Sequence, residues 1–208
     1  MSKSYLGERA YETIKDRIIR CVYQPDSFIN EEQLVAELNI SRTPIRSALV
    51  RLEQERMVQI ISKKGVHVTD ISYEQIHDIY ECRFLIEPYA VLHYGNRFPK
   101  KELLDYLSCF SATEDNWSFY RHDNKFHKQI VDLCGNDLLS SYYDSLQSLS
   151  LRISVRSGDA ENRVTNSNHE HISIINALLQ DDYPLASELI KNHLEIAKRV
   201  AYNILVVK

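Results

Sequence analysis

The sequence predicts a mainly α chain in two parts: an N-terminal winged helix-turn-helix over residues 1–70 and a C-terminal all-α helical bundle over 71–208. Apolar residues recur at helical spacing along nearly the whole chain. The only β-rich runs are two short ones, 57–61 and 66–69, around Ser62-Lys63-Lys64-Gly65. Five Gly and five Pro in 208 residues are too few for the tight turns of a β-sandwich or barrel.

Each element follows from its own residues. Tyr11, Ile14, Ile18 and Ile19 form a stripe that predicts a helix over 5–22, broken by Gln24-Pro25-Asp26-Ser27. Asn30 suits the N-cap of a short helix over 31–38, with Glu31 and Glu32 at its positive end and Asn39 at the left-handed closing position. Ser41 is placed to cap the next helix, which has Pro44 in its first turn and continues through Ile45, Leu49 and Leu52 to about 55. The two β-rich runs then make a hairpin with a basic tip. Asp70-Ile71-Ser72 is the expected linker. Beyond it six helices are expected, near 73–95, 100–112, 115–134, 137–156, 165–180 and 183–205. Ser72 with Gln75 resembles a capping box, and Pro88 should kink or interrupt the first of these helices. Gly135-Asn136 and Ser157-Gly158-Asp159 are the clearest breaks between helices.

Composition bounds the class. With 29 acidic and 25 basic residues the formal charge is −4, and 44% hydrophobic with 26% charged residues describes an ordinary globular chain. No run approaches about 18 consecutive apolar residues, so no membrane-spanning helix is expected. The first residues lack the apolar core of a secretory signal. Four Cys show no CxxC pairing and read as reduced thiols. A cytoplasmic protein is expected.

Charge is unevenly spread. Residues 42–64 hold Arg42, Arg46, Arg51, Arg56, Lys63 and Lys64 against only Glu53 and Glu55. A local basic patch on a net acidic chain suits contact with a polyanion. In a winged helix-turn-helix the second helix of the motif presents Ser41, Arg42, Thr43 and Arg46 to a major groove. Arg42 and Arg46, four apart, share a face, and a bidentate arginine–guanine pair discriminates by roughly 1–3 kcal/mol. The hydroxyls of Ser41 and Thr43 suit phosphate oxygens. Lys63 and Lys64 reach backbone or minor groove, and Gly65 permits close main-chain approach.

A second constellation lies in the bundle. Asp123 and His127, four apart, leave one helix on one face. His171 and His193 fall on the last two helices. Three imidazoles and a carboxylate suit zinc, nickel or a similar divalent ion.

The segment SRTPIRSALVRLEQERMV with its KKG wing, preceded by YETIKDRIIR and QPDSFINEEQLVAEL, resembles the GntR family of bacterial transcription regulators over about residues 8–70. The resemblance implies operator binding with Arg42 and Arg46 as base readers and Gly65 at the wing. The chain departs from the family at Asp26 and Arg56, where glycine is usual. RHDNKFHKQIVDLCGN, HEHISIINALLQDD and ASELIKNHLE are similar to the FCD effector domain of the FadR-like branch, in its short six-helix form, over about 73–203. That likeness implies the metal ligands Asp123, His127, His171 and His193, with zinc expected and nickel or manganese as alternatives. It also implies a small carboxylate effector reaching the metal. Arg83 in ECRFLIEP matches a family arginine suited to such a carboxylate, and Arg152 or Arg156 is a candidate second clamp. Asn136 either bonds back to a helix end or meets the effector.

The expected protein is therefore a transcription regulator, with repressor the expected label and no enzymatic activity. As a homodimer it reads a pseudo-palindromic operator, because one module offers few base contacts. Two rival readings remain. A metal-dependent enzyme fused to a DNA-binding module would need a base, and Glu170 is the only obvious one. A purely structural metal would leave DNA affinity indifferent to carboxylates.

Overall fold

The computed structural model describes residues 3–112, 115–158 and 162–206. The chain divides into two compact units, residues 1–71 and 72–208.

The first unit runs α1 (Lys3–Ile19), β1 (Phe28–Ile29), α2 (Glu31–Leu38), α3 (Arg42–Gln54), β2 (Val58–Ile61) and β3 (Gly65–Val68). Ile14 and Ile18 of α1 are buried with Leu34 of α2, Ile45, Leu49 and Leu52 of α3, and Val66 and Val68 of the hairpin. The sheet is antiparallel in the order β1-β3-β2. The two-residue β1, pairing Phe28 with His67 and Ile29 with Val66, is too short to leave an alternating pattern and was not expected. Asn30 Oδ1 accepts from Glu32 N at 2.7 Å, and Asn39 closes α2 at φ 52°.

Two details differ from expectation, and a third explains a departure from the family already noted. The first helix ends at Ile19 rather than near 22: Cys21 turns left-handed at φ 55°, and Val22 N folds back to Arg17 O at 2.8 Å. Ser41 occupies the N-cap position of α3 but makes no side-chain capping bond. Asp26 and Arg56 stand at φ 61° and 60°, in the left-handed region. This gives the reason glycine is usual there, since a Cβ in that conformation costs about 1–2 kcal/mol.

Among the described residues the second unit has only helical elements, α4 (Tyr73–Tyr94), α5 (Lys100–Ser111), α6 (Asn116–Asp132), α7 (Asp137–Ser157), α8 (Arg163–Leu179) and α9 (Tyr183–Leu205), with a 3-10 turn over Gly95–Arg97. Ser72, Asp115 and Asp182 each accept from a backbone N–H of the helix they begin. Phe98, Leu103, Tyr106, Phe110, Phe119, Phe126, Ile130, Ile174, Leu178 and Ile190 form the core. Pro88 does not interrupt α4. It is buried, its carbonyl accepts from Ser187 Oγ of α9 at 3.1 Å, and the extensive α4–α9 packing carries the helix across the missing N–H. Of the expected Ser157-Gly158-Asp159 break, Asp159 lies outside the described residues. Among the described residues no helix is long and apolar enough to cross a membrane.

Candidate functional site

Four side chains from three helices converge inside the second unit. Asp123 and His127 come from one face of α6, His171 from α8 and His193 from α9, and one ligand atom from each lies within 4.8 Å of all the others. His171 Nε2 is 3.2 Å from His127 Nε2 and 3.2 Å from Asp123 Oδ1, and His127 Nε2 is 3.7 Å from the same oxygen. The histidines are buried, while Asp123 keeps 13% of its side chain accessible, so the cluster opens on the aspartate side.

Hydrogen bonds behind the cluster fix which imidazole nitrogens face inward. His127 Nδ1 donates to Glu87 Oε2 at 2.6 Å and His193 Nδ1 to Glu170 Oε2 at 2.7 Å. An ionised carboxylate only accepts, so the hydrogen of each ring is on Nδ1 and Nε2 presents a lone pair. One proton on His171 Nε2 can serve the Asp123 carboxylate, but the inward lone pairs of His127 and His193 and that carboxylate are satisfied together only by a cation among them. Donors around a tetrahedral zinc are about 3.3 Å apart, close to the separations here, while the widest pair would draw in. His171 is held differently: its ring stacks on Phe110 with centroids 4.4 Å apart and planes at 7°, and its Nδ1 has no hydrogen-bond partner among the described residues.

Protonation favours the same cation. Burial first, then the neighbouring imidazoles, holds His193 well below the ordinary histidine range. Burial likewise lowers His171, against the pull of Asp123. Burial alone would raise the Asp123 carboxyl, but the His171 hydrogen bond and the charges of the surrounding histidines outweigh it and lower the carboxyl. Neutral imidazoles and an ionised carboxylate are the forms that bind metal.

Glu87 is the hub of the network behind the cluster. Besides His127, it accepts from Arg83 Nε at 2.6 Å and from the Tyr143 hydroxyl at 2.6 Å, and Arg83 Nη1 donates to Ser150 Oγ at 3.0 Å. Arg83 is thus buried and engaged, yet it also lines a cavity of about 20 Å³ with Asp123, His193, Ser167 and Arg163. Arg163 Nη1 meets both oxygens of Glu170 at 3.2 Å. Arg152 is fully buried on α7, outside that lining. Asn136 makes the helix-end bond that was one of its two expected roles: it is exposed, and its Oδ1 caps α7 by accepting from Leu138 N and Leu139 N at 3.1 and 3.2 Å.

Sequence reasoning did not single out Glu87, Tyr143 or Arg163, and it took Glu170 as a neighbour of His171 and as the candidate base of the rival enzyme reading, not as a support for His193. A signal for Glu87 existed. Ile76, Tyr80, Arg83, Glu87 and Val91 share the buried stripe of α4, and an opposite-charge pair four apart within such a stripe marks an interior network.

In the first unit, Ser41, Arg42, Thr43 and Arg46 are all exposed at the start of α3, and Lys63 and Lys64 are exposed at the hairpin tip. Lys63 stands at φ 63° and Gly65 at φ 106°, where a Cβ would come within 3.1 Å of Ile29 O. Arg42 Nη2 pairs with Glu32 Oε1 at 2.8 Å and Arg46 Nε with Glu31 Oε2 at 2.8 Å, both acids belonging to α2.

Residues 6–68 match the bacterial regulatory proteins of the gntR family, and residues 78–196 match the FCD domain. The chain is 29% identical over 200 residues to the HTH-type transcriptional repressor GlaR of Escherichia coli (strain K12), covering 88% of this chain and 90% of that protein. A GntR structure from Rhodococcus sp. RHA1 has the same fold, with a TM-score of 0.84 at 22% identity over 95% of this chain and 97% of that one. The Zn2+-bound FCD domain of TM0439 aligns with a TM-score of 0.54 at 25% identity, covering 64% of this chain and 95% of that one. Such relatives are transcriptional regulators, not enzymes.

Proposed function

Because the chain belongs to the GntR family of bacterial regulatory proteins and carries an FCD domain, we propose that it is a metal-dependent carboxylate sensor controlling transcription. In this reading residues 1–70 bind DNA through Ser41, Arg42, Thr43, Arg46, Lys63, Lys64 and Gly65. Residues 71–208 hold the metal, bind the effector and dimerise, so that a homodimer in the cytoplasm represses from a pseudo-palindromic operator.

The observation that carries it is the convergence of Asp123, His127, His171 and His193, with two rings oriented by Glu87 and Glu170. Zinc is the first candidate, and nickel or manganese would also accept these donors. When bound, such an ion supplies a Lewis-acidic position for an anionic oxygen. One carboxylate and three neutral imidazoles leave a divalent ion with a residual positive charge, which a small carboxylate offsets. Arg83, beside the cavity, adds a cation to that side of the site, and Arg152, buried on α7, is the candidate second clamp. The chain's own residues tie α6, α8 and α9 together at one point, which gives occupancy of the site a means of altering the unit.

One observation favours a second reading. Four protein donors already fill a tetrahedral shell, and a cavity of about 20 Å³ has room for little more than a water molecule. A metal held this way is structural unless the shell expands and neighbouring side chains move. Thermal unfolding of chelator-stripped protein, with each metal crossed against small mono-, di- and tricarboxylates, separates the two. The sensor reading expects stabilisation that needs both metal and one acid, and that vanishes in His171→Ala. Stabilisation by metal alone, unchanged by every acid, supports the structural reading.

A further inference from the structure

The two arginines of α3 proposed as base readers are each held by an acid of α2. The Arg42–Glu32 and Arg46–Glu31 pairs stand in one groove, of about 540 Å³, which Lys63 and Lys64 of the wing also line. Glu31 and Glu32 sit in the first turn of α2, where acids suit the helix dipole, but that role does not require them to face the cationic surface of α3. A duplex lying against α3 and the wing brings its phosphates to the same groove.

We propose that Glu31 and Glu32 are specificity-determining residues, acting as built-in competitors of DNA phosphate. The inference rests on the DNA-binding activity of the family and on no property of the metal site. On non-specific duplex an arginine that takes a phosphate exchanges one anion for another, and its displaced carboxylate is left facing a polyanion. At an operator the balance differs. Each ion pair uses one guanidinium N–H, and an arginine has five, so the remaining donors can fork onto guanine O6 and N7 while the carboxylate stays in place. A glutamate beside that guanine can also accept from a cytosine amino group. The repulsion therefore falls mainly on non-specific complexes, and the ratio of specific to non-specific affinity rises.

The test compares wild type, Glu31→Gln/Glu32→Gln and a charge-matched control, Glu12→Gln/Glu37→Gln, whose exposed acids lie outside the groove lining. Each is titrated with a mixed-sequence duplex over a range of salt, and with an operator recovered by selection from random duplexes. The proposal expects the groove variant to bind mixed-sequence DNA about tenfold more tightly than the control near 0.1 M salt. Its salt slope should steepen by roughly one to two, as freed arginines take up phosphates. Operator affinity should rise less, so the specificity ratio falls. Glu32→Gln alone, at a freely exposed position, should give part of the effect without risk to folding. Non-specific binding no tighter than in the control overturns the proposal. So does weaker binding to both duplexes, which would make the acids mere supports for the arginines.

Discussion

Two of the chain's arginine–glutamate pairs serve opposite ends. In the first unit Arg42 and Glu32 meet at 2.8 Å with 61% and 72% of their side chains exposed. In the second, Arg83 and Glu87 meet at 2.6 Å with 4% and 0% exposed. Water and salt screen the first pair, so it contributes little to stability and opens readily. The second has left water entirely, and Glu87 is tied at once to Arg83, Tyr143 and His127. Removing one member strands the others. Exposure thus separates an exchangeable surface, where arginines can change partners, from a committed site, where orientation is fixed before any ligand arrives.

The largest expected effect probes the committed side. Glu87→Ala should destabilise the protein by about 3–5 kcal/mol in urea unfolding, because it leaves Arg83 buried without its carboxylate. Glu32→Gln should change stability by no more than about 0.5 kcal/mol. A Glu87→Ala penalty below about 1 kcal/mol would erase the contrast. Next in size is metal removal. Metal at about 100 times its dissociation constant should add about 2.7 kcal/mol to the stripped protein, measured by calorimetric melting, and add nothing to His193→Ala. The turn that places the basic tip gives a smaller effect. Gly65→Ala, at φ 106° and close to Ile29 O, should lose about 1–2 kcal/mol on denaturation. The smallest effect runs the other way. Arg56→Gly should raise the melting temperature through a gain of about 0.5–1 kcal/mol, because φ 60° suits glycine. Asp26→Gly should gain less, since Asp tolerates that conformation and Asp26 Oδ1 meets His67 Nε2 at 2.8 Å.

What the sequence revealed follows the range of the forces involved. The helices of the second unit were legible within a few residues, because periodic burial and a capping residue such as Ser72 are local signals. The end of α1 was misplaced because a left-handed Cys21 carries no composition mark. The strand β1 exists only through its partner β3. The metal quartet was half legible: the i, i+4 spacing of Asp123 and His127 is local, whereas His171 and His193 were candidates by residue type alone until the resemblance marked all four as ligands. Glu87 supports His127 across 40 residues, a distance spacing rules do not bridge. Asn136 was left open between cap and effector, and the start of α7 shows the cap. The pairing of Arg42 and Arg46 with α2 acids was invisible for the same reason as Glu87, being a contact between elements.

The central claim, that the buried network is a pre-oriented metal site, is tested most directly by calorimetric titration of zinc into chelator-stripped protein. The account predicts one ion per chain in the wild type, none in His171→Ala, and affinity about 10–100-fold weaker in Glu87→Gln, whose amide holds His127 less well. Zinc uptake that survives unchanged in His171→Ala, or fails in the wild type, would contradict it.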